Sequence, residues 1–276
     1  MVTIRKMNKL KEMLTYRRPS RSNTEKEFIN KFIRPIKNMK EDSHGNLYLS
    51  LGKSDTLFSC HTDTVHRKHG IQGYVDDTVF GVIYKDDGEV LGADNTAGVW
   101  IMLNLIENNI SGLYVFHKDE EIGGLGSRWI AKHRPNYIMD INKAIAFDRK
   151  GQHEVITHQY NGRCCSDTFG NSLAKYIGLN YAISDNGIFT DTANYIDFIS
   201  ECTNISVGYE NEHTKNEYLD YNFLVNDLMP SLLEVPWDKL PIERKFGYNN
   251  RYIDHYEDEF MSDYYDDLYK EYMYEV

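Results

Sequence analysis

Residues 112–127 read GLYVFHKDEEIGGLGS. The run from Leu113 to Phe116 is short, apolar and rich in aromatic and β-branched side chains, the pattern of a buried strand. It ends abruptly in Asp119, Glu120 and Glu121. Three consecutive carboxylates repel one another unless solvent or cations offset their charge. Adjacent side chains leave the backbone in different directions, so Glu121 can hold a cation while Glu120 faces water. The glycines that follow allow close approach of the next helix, predicted over residues 124–134. A solvated acidic turn is the plainer reading of DEE, and the apolar strand before it and GGLGS after it count against that reading.

The same pattern recurs outward from this segment. DTLFSCHTD (55–63) and KAIAFDRKG (143–151) are apolar runs that end in histidine or acidic residues, and NISVGYENEH (204–213) repeats the pattern less clearly. Helices are predicted between them at 96–109, 166–178 and 222–235. A further helix is expected over 24–37 with Thr24 as its N-cap, a strand over 44–52, and a β-hairpin over 76–90 that turns at DDG (86–88). Alternating strands and helices imply an α/β fold, a three-layer α/β/α sandwich around a central mixed sheet. If the strands are parallel, their polar ends converge on one rim, where open α/β sheets bind ligands.

Five short motifs carry the chemistry. In HTD, Asp63 shares a strand face with His61 and can orient its ring, as a metal-binding imidazole requires. His66 and His69 read as loop residues. In LGADN, Asp94 is either a ligand that bridges two cations or a cap of the following helix, and Asp94 and Asn95 can divide the two roles. Glu120 and Glu121 form the third motif. Asp148, after a buried strand, is a ligand or the partner of Arg149. His213, taken alone, reads as a surface residue and gains weight only from the ensemble.

The net charge of −11 argues against non-specific nucleic-acid binding, which needs clustered cations. No apolar run is long enough to span a bilayer, and the first residues carry no apolar signal-peptide core. Cys60, Cys164, Cys165 and Cys202 show no disulfide or zinc-ribbon spacing, which fits a reducing, cytoplasmic setting. Residues 1–245 are expected to form one catalytic domain. Residues 246–276, dense in Tyr, Asp and Glu, read as a docking helix, a disordered acidic arm or a partner-binding segment.

Taken in order, HTD, LGADN, DEEIGG, FDR and GYENEHT resemble the motifs of the di-zinc exopeptidases, the clan of aminopeptidases, tripeptidases and related carboxypeptidases. The resemblance covers roughly residues 24–232. It implies that His61 and Asp148 hold one metal, that Glu121 and His213 hold the other, and that Asp94 bridges them. It makes Glu120 the general base, Asp63 the partner of His61, and the Asp94–Asn95 bond a candidate cis peptide. Two divalent ions are implied, zinc first, with cobalt or manganese also suited to such ligands. The stretch 149–212 is too short for the lid domain of many such enzymes, so the compact aminopeptidases are the nearer pattern. The oxyanion donor is left open among Tyr160, Arg163 and Tyr209. Asp191, in NGIFTDTANY, is either a helix start or part of the substrate side of the cleft. The implied activity is exopeptidase hydrolysis of small peptides. The alternatives are a dipeptidase or N-acyl amino-acid deacylase, and a non-catalytic scaffold.

Overall fold

The computed structural model describes residues 2–160 and 162–245, so the reading of 246–276 lies outside the described residues. Its centre is an eight-stranded sheet. In chain order the strands are β1 Lys40–Glu41, β2 Leu47–Leu51, β3 Thr56–His61, β4 Gly112–His117, β5 Lys143–Arg149, β6 Glu154–Ile156, β7 Ala182–Ser184 and β8 Glu201–Ser206. Their spatial order is β7-β6-β8-β5-β3-β4-β2-β1. The four middle strands β8, β5, β3 and β4 are mutually parallel, while β2 and β1 on one side and the β6–β8 pairing on the other are antiparallel. This is the expected mixed sheet.

Period-two alternation gives the sheet a core on each face. Phe58, Tyr114, Phe116, Ile145 and Phe147 face one cluster, which is completed by helices α1 Val2–Met13, α2 Asn23–Phe32, α3 Ala93–Glu107, α5 Asp167–Ile177 and α6 Met229–Glu234. Leu57, Leu113, Val115 and Ala144 face the other, with Ile130 of α4 Leu125–His133 and residues of the 191–199 segment. The three layers are therefore those expected. Strands β3 and β4 are buried along their whole length, which is why they read as continuous apolar runs.

Several boundaries differ from expectation. Ser22, not Thr24, caps α2 by accepting from Glu25 N, and Glu25 returns a bond from Arg21 N. The helix ends at Phe32 because Arg34 precedes Pro35, and a residue before proline is pushed out of the helical region. The hairpin turns at 77–81 rather than 86–88. There the Asp77 carboxylate accepts from Val79 N and Phe80 N in the turn between the paired strands 75–77 and 82–84. The last central strand is 201–206, earlier than 204–213, so His213 sits on a loop beyond it with a left-handed φ of 62°. The helix expected over 222–235 is π-helical over Phe223–Leu228 and α-helical from Met229, where Pro230 brings no N–H.

Helix α3 positions the site most directly. Asp94 and Asn95 have non-helical backbone and are joined by a cis peptide bond, as the resemblance implied. The helix is regular from Thr96 onward. Gly98 lets it rest on β5: a methyl group there would stand 2.2 Å from the backbone oxygen of Phe147.

Candidate metal centre

The parallel register places His61 and His117 side by side at the ends of β3 and β4, with Asp148 near the end of β5. The turns that follow these strands bring the remaining candidates together. His61 Nε2 lies 3.0 Å from Asp94 Oδ1 and 3.3 Å from Asp148 Oδ1. His213 Nε2 lies 3.1 Å from Asp94 Oδ2 and 3.1 Å from Glu121 Oε2. One carboxylate thus faces both imidazoles, one oxygen to each. Glu120 is the loosest member, with Oε2 3.9 Å from His61 Nε2. His61 is buried, whereas the His213 side chain is 49% exposed, so the cluster opens to solvent on that side.

The supports of this cluster explain its geometry. Asp63 accepts from Glu120 N at 3.2 Å and Glu121 N at 3.1 Å, and its Oδ1 lies 3.3 Å from His61 Nδ1. The Asp63 backbone oxygen lies closer to that ring nitrogen, at 3.1 Å, so the main chain and the carboxylate both face it, while the carboxylate fixes the turn that carries both glutamates. Asp119, the first of the three acids, turns away through a left-handed φ and pairs with Arg21 and His44. Asn95 accepts from Gly98 N and donates to Asp148 Oδ1 at 2.7 Å. The pair Asp94–Asn95 divides its roles: Asn95 bonds the helix N-terminus, and Asp94 joins the cluster. Arg149 pairs with Glu154, leaving Asp148 to the site.

Two supports were not assigned to the site from the sequence, where Thr190 reads only as a candidate cap of the helix start at Asp191. Thr190 donates to Asp148 Oδ2 at 2.6 Å. Glu217, fully buried, accepts from Leu91 N, Gly92 N and Asp94 N at 2.8, 2.8 and 3.0 Å. Its position four residues after His213 is the only sequence signal, and nothing in ENEHTKNEY separates it from its acidic neighbours.

The other candidates fall around the site. Of the three oxyanion candidates, Tyr209 reaches it, with its hydroxyl 3.3 Å from Asp148 Oδ1. Arg163 is engaged by Asp167 and Cys165 O, and Tyr160 is 83% exposed. Asp191 starts the 3₁₀ turn Asp191–Tyr195 and is buried, with Oδ2 3.3 Å from His117 Nδ1, so its carboxylate is not on the cleft surface. His66 is buried between Thr64 and Gln72, away from the cluster, and His69 is exposed.

The charges show what this arrangement needs. Burial raises the Glu120 carboxyl well above the usual range, with Asp148 and Glu121 adding to it against the pull of His61. Burial and the charge of Asp94 push Glu121 up to about 8. The bonds to Asp94 and Glu121 push His213 up to about 11. Four clustered carboxylates face two imidazoles, and the buried Glu121 Oε1 has no hydrogen-bond partner. Surplus negative charge and an orphaned oxygen fit cation binding. The distances fit as well: at a metal–ligand length of about 2.0–2.1 Å, neighbouring atoms of a tetrahedral site stand about 3.3 Å apart. The triads His61, Asp94, Asp148 and Asp94, Glu121, His213 are each grouped closely enough to hold one ion.

No protein-family model and no curated protein matches the sequence. Solved structures do share the fold. Aminopeptidase PepT from Bacillus cereus superposes with a TM-score of 0.66 at 17% identity, over 84% of this chain and 98% of that one. A tripeptidase from Staphylococcus aureus gives 0.68 at 17%, over 84% and 97%. The TET1 peptidase of Pyrococcus horikoshii, which can assemble into a tetrahedron or a large octahedral shell, gives 0.55 at 19%, over 84% and 99%. The chain therefore has the α/β fold of these exopeptidases. Among the described residues no helix is long and apolar enough to cross a membrane.

Proposed function

We propose that this protein is a metal-dependent exopeptidase, an aminopeptidase acting on small peptides, with two divalent ions of which zinc suits the donor set best. The observation that carries this reading is the Asp94 carboxylate, with His61 and His213 at 3.0 and 3.1 Å from its two oxygens. His61, Asp94 and Asp148 would hold one ion, and Asp94, Glu121 and His213 the other. Divalent cations, when bound there, would supply Lewis acidity toward a scissile carbonyl and a water molecule. Glu120, the carboxylate least engaged by an imidazole, takes that proton and passes it to the leaving amine. Asp63 keeps the His61 ring aimed and Glu120 in place. Tyr209 offers a hydroxyl donor beside Asp148 for the developing oxyanion. The four cysteines, all free and buried, are in keeping with a cytoplasmic setting. Residues 1–245 would form the catalytic domain.

A panel of free-amine and N-blocked di- and tripeptides, with zinc supplied, tests the reading. Release of the N-terminal residue from free-amine peptides is expected. Turnover of blocked substrates alone would make the protein a deacylase, and no turnover of either would overturn the hydrolase reading.

A further inference from the structure

Residues 18–25 bond three of the turns that carry the candidate ligands. Ser20 and Arg21 hold Asp119, with Arg21 Nη2 2.9 Å from its Oδ2, and Asp119 directly precedes Glu120 and Glu121. Glu25 accepts from Thr62 Oγ1 at 2.6 Å and pairs with Lys118 Nζ, so it joins the turn after β3 to the turn after β4. Arg18 bonds two of the turns at once. Its Nε donates to Thr62 O at 2.8 Å, between His61 and Asp63. Its Nη2 donates to Thr96 Oγ1 at 2.9 Å. The Thr96 hydroxyl donates in turn to Gly92 O at 2.5 Å, which closes the turn that holds Asp94. One planar group therefore spans the turns of His61 and Asp94, whose side chains meet at 3.0 Å.

The surroundings of Arg18 suit a spacer. The residue is fully buried, and a buried cation is costly unless its donors are satisfied. Nη1 donates to Tyr16 O at 3.3 Å and Met13 O at 3.4 Å, and the guanidinium lies 4.1 Å from the centre of the Phe28 ring. Burial lowers Arg18 to about 10, with Glu25 and Asp63 pulling it back up, so it stays charged at neutral pH. All four of these acceptors are neutral oxygens, two of them on the ligand turns. A rigid fork fixes the distance between its acceptors, whereas lysine offers a point charge on a flexible stem.

We propose that Arg18 is a positioning residue: its guanidinium sets the spacing of the His61 turn against the Asp94 turn, and with it the affinity for the ion held by His61, Asp94 and Asp148. The ion at Asp94, Glu121 and His213 depends on it less, because Glu217 anchors Asp94 separately. This rests on the reading of the cluster as a two-ion centre.

The test is calorimetric zinc titration of the chelator-treated full chain, beside urea unfolding, for the wild type, Arg18→Lys, Arg18→Met and Thr96→Val. In both Arg18 variants one of the two ions should bind about 10–100-fold more weakly, the scale for groups that orient ligands. The other ion should keep its affinity. Thr96→Val removes one acceptor of the fork and should give the same split to a smaller degree, and it decides the matter if the Arg18 variants do not fold. Leu173→Ala, a truncation in the buried core of α5, is the control for lost stability alone and should keep both affinities. Wild-type affinities in Arg18→Lys or in Thr96→Val, or equal weakening of both ions, overturn the positioning role and leave the two-ion reading intact. A wild type that binds no zinc overturns that reading and the proposal with it.

Discussion

Glu217 accepts hydrogen bonds from the backbone of Asp94 at 3.0 Å and of Gly92 at 2.8 Å, so a carboxylate outside the cluster fixes the residue that faces both imidazoles. Burial pushes Glu217 up to about 7, and the three N–H groups it receives pull against that rise. Replacing it with Ala strands those N–H groups. We expect a loss of stability of about 1–3 kcal/mol in the protein without added metal. Metal affinity should fall about 10–100-fold, as for other groups that orient ligands. Calorimetric titration and urea unfolding of Glu217→Ala check both, and unchanged zinc affinity would refute the positioning role.

Glu120→Gln should keep the bound metal and lose about 100-fold or more in kcat, the usual scale of general-base catalysis. Metal content and steady-state turnover measured on the same preparation separate the two effects. Near-normal turnover would remove Glu120 from the mechanism.

Gly98→Ala forces a methyl group against the Phe147 oxygen and Asn95 Oδ1, with closest approaches of 2.2 and 2.1 Å. Helix α3 must shift away from β5, at a cost of about 1–3 kcal/mol or more. Because Asn95 holds Asp148 and Phe147 precedes it, metal affinity should fall together with stability. A variant of wild-type stability would contradict the packing described.

Burial lowers His66 from 6.5 to about 4, with the charge of Arg18 adding to the shift. The unfolded chain then binds the extra proton first, so stability is full above the unfolded value and falls as pH drops from 6.5 toward 4. The loss over that window is roughly 3 kcal/mol. In His66→Gln this contribution is absent, so the stability gap between wild type and variant should narrow as pH falls. Urea unfolding at pH 7, 5.5 and 4.5 measures it, and a constant gap would refute the assignment.

The sheet and the site could be read in the sequence for one reason. The buried parallel strands β3, β4 and β5 are continuous apolar runs, and polar residues can end such runs only at a rim open to solvent or ligand. His61, Glu120, Glu121 and Asp148 follow from that rule, and Asp94 from the turn before α3. What escaped was set by tertiary contact. Glu217 and Thr190 act through partners far away in sequence, and no local pattern marks them. The hairpin turn was misplaced because Asp77 and Asp87 both bond the backbone that follows them, and only the pairing of 75–77 with 82–84 decides between the two. Asp191 is legible as polar, yet its burial depends on how the 191–199 segment packs against α4.

The most direct test of the account is the zinc content of the purified protein, desalted after zinc is supplied at neutral pH, beside Asp94→Ala. The account predicts about two ions per chain in the wild type, and loss of both in the variant because both share that carboxylate. A wild-type protein that retains no zinc, or an Asp94→Ala variant that still holds two ions, would contradict it.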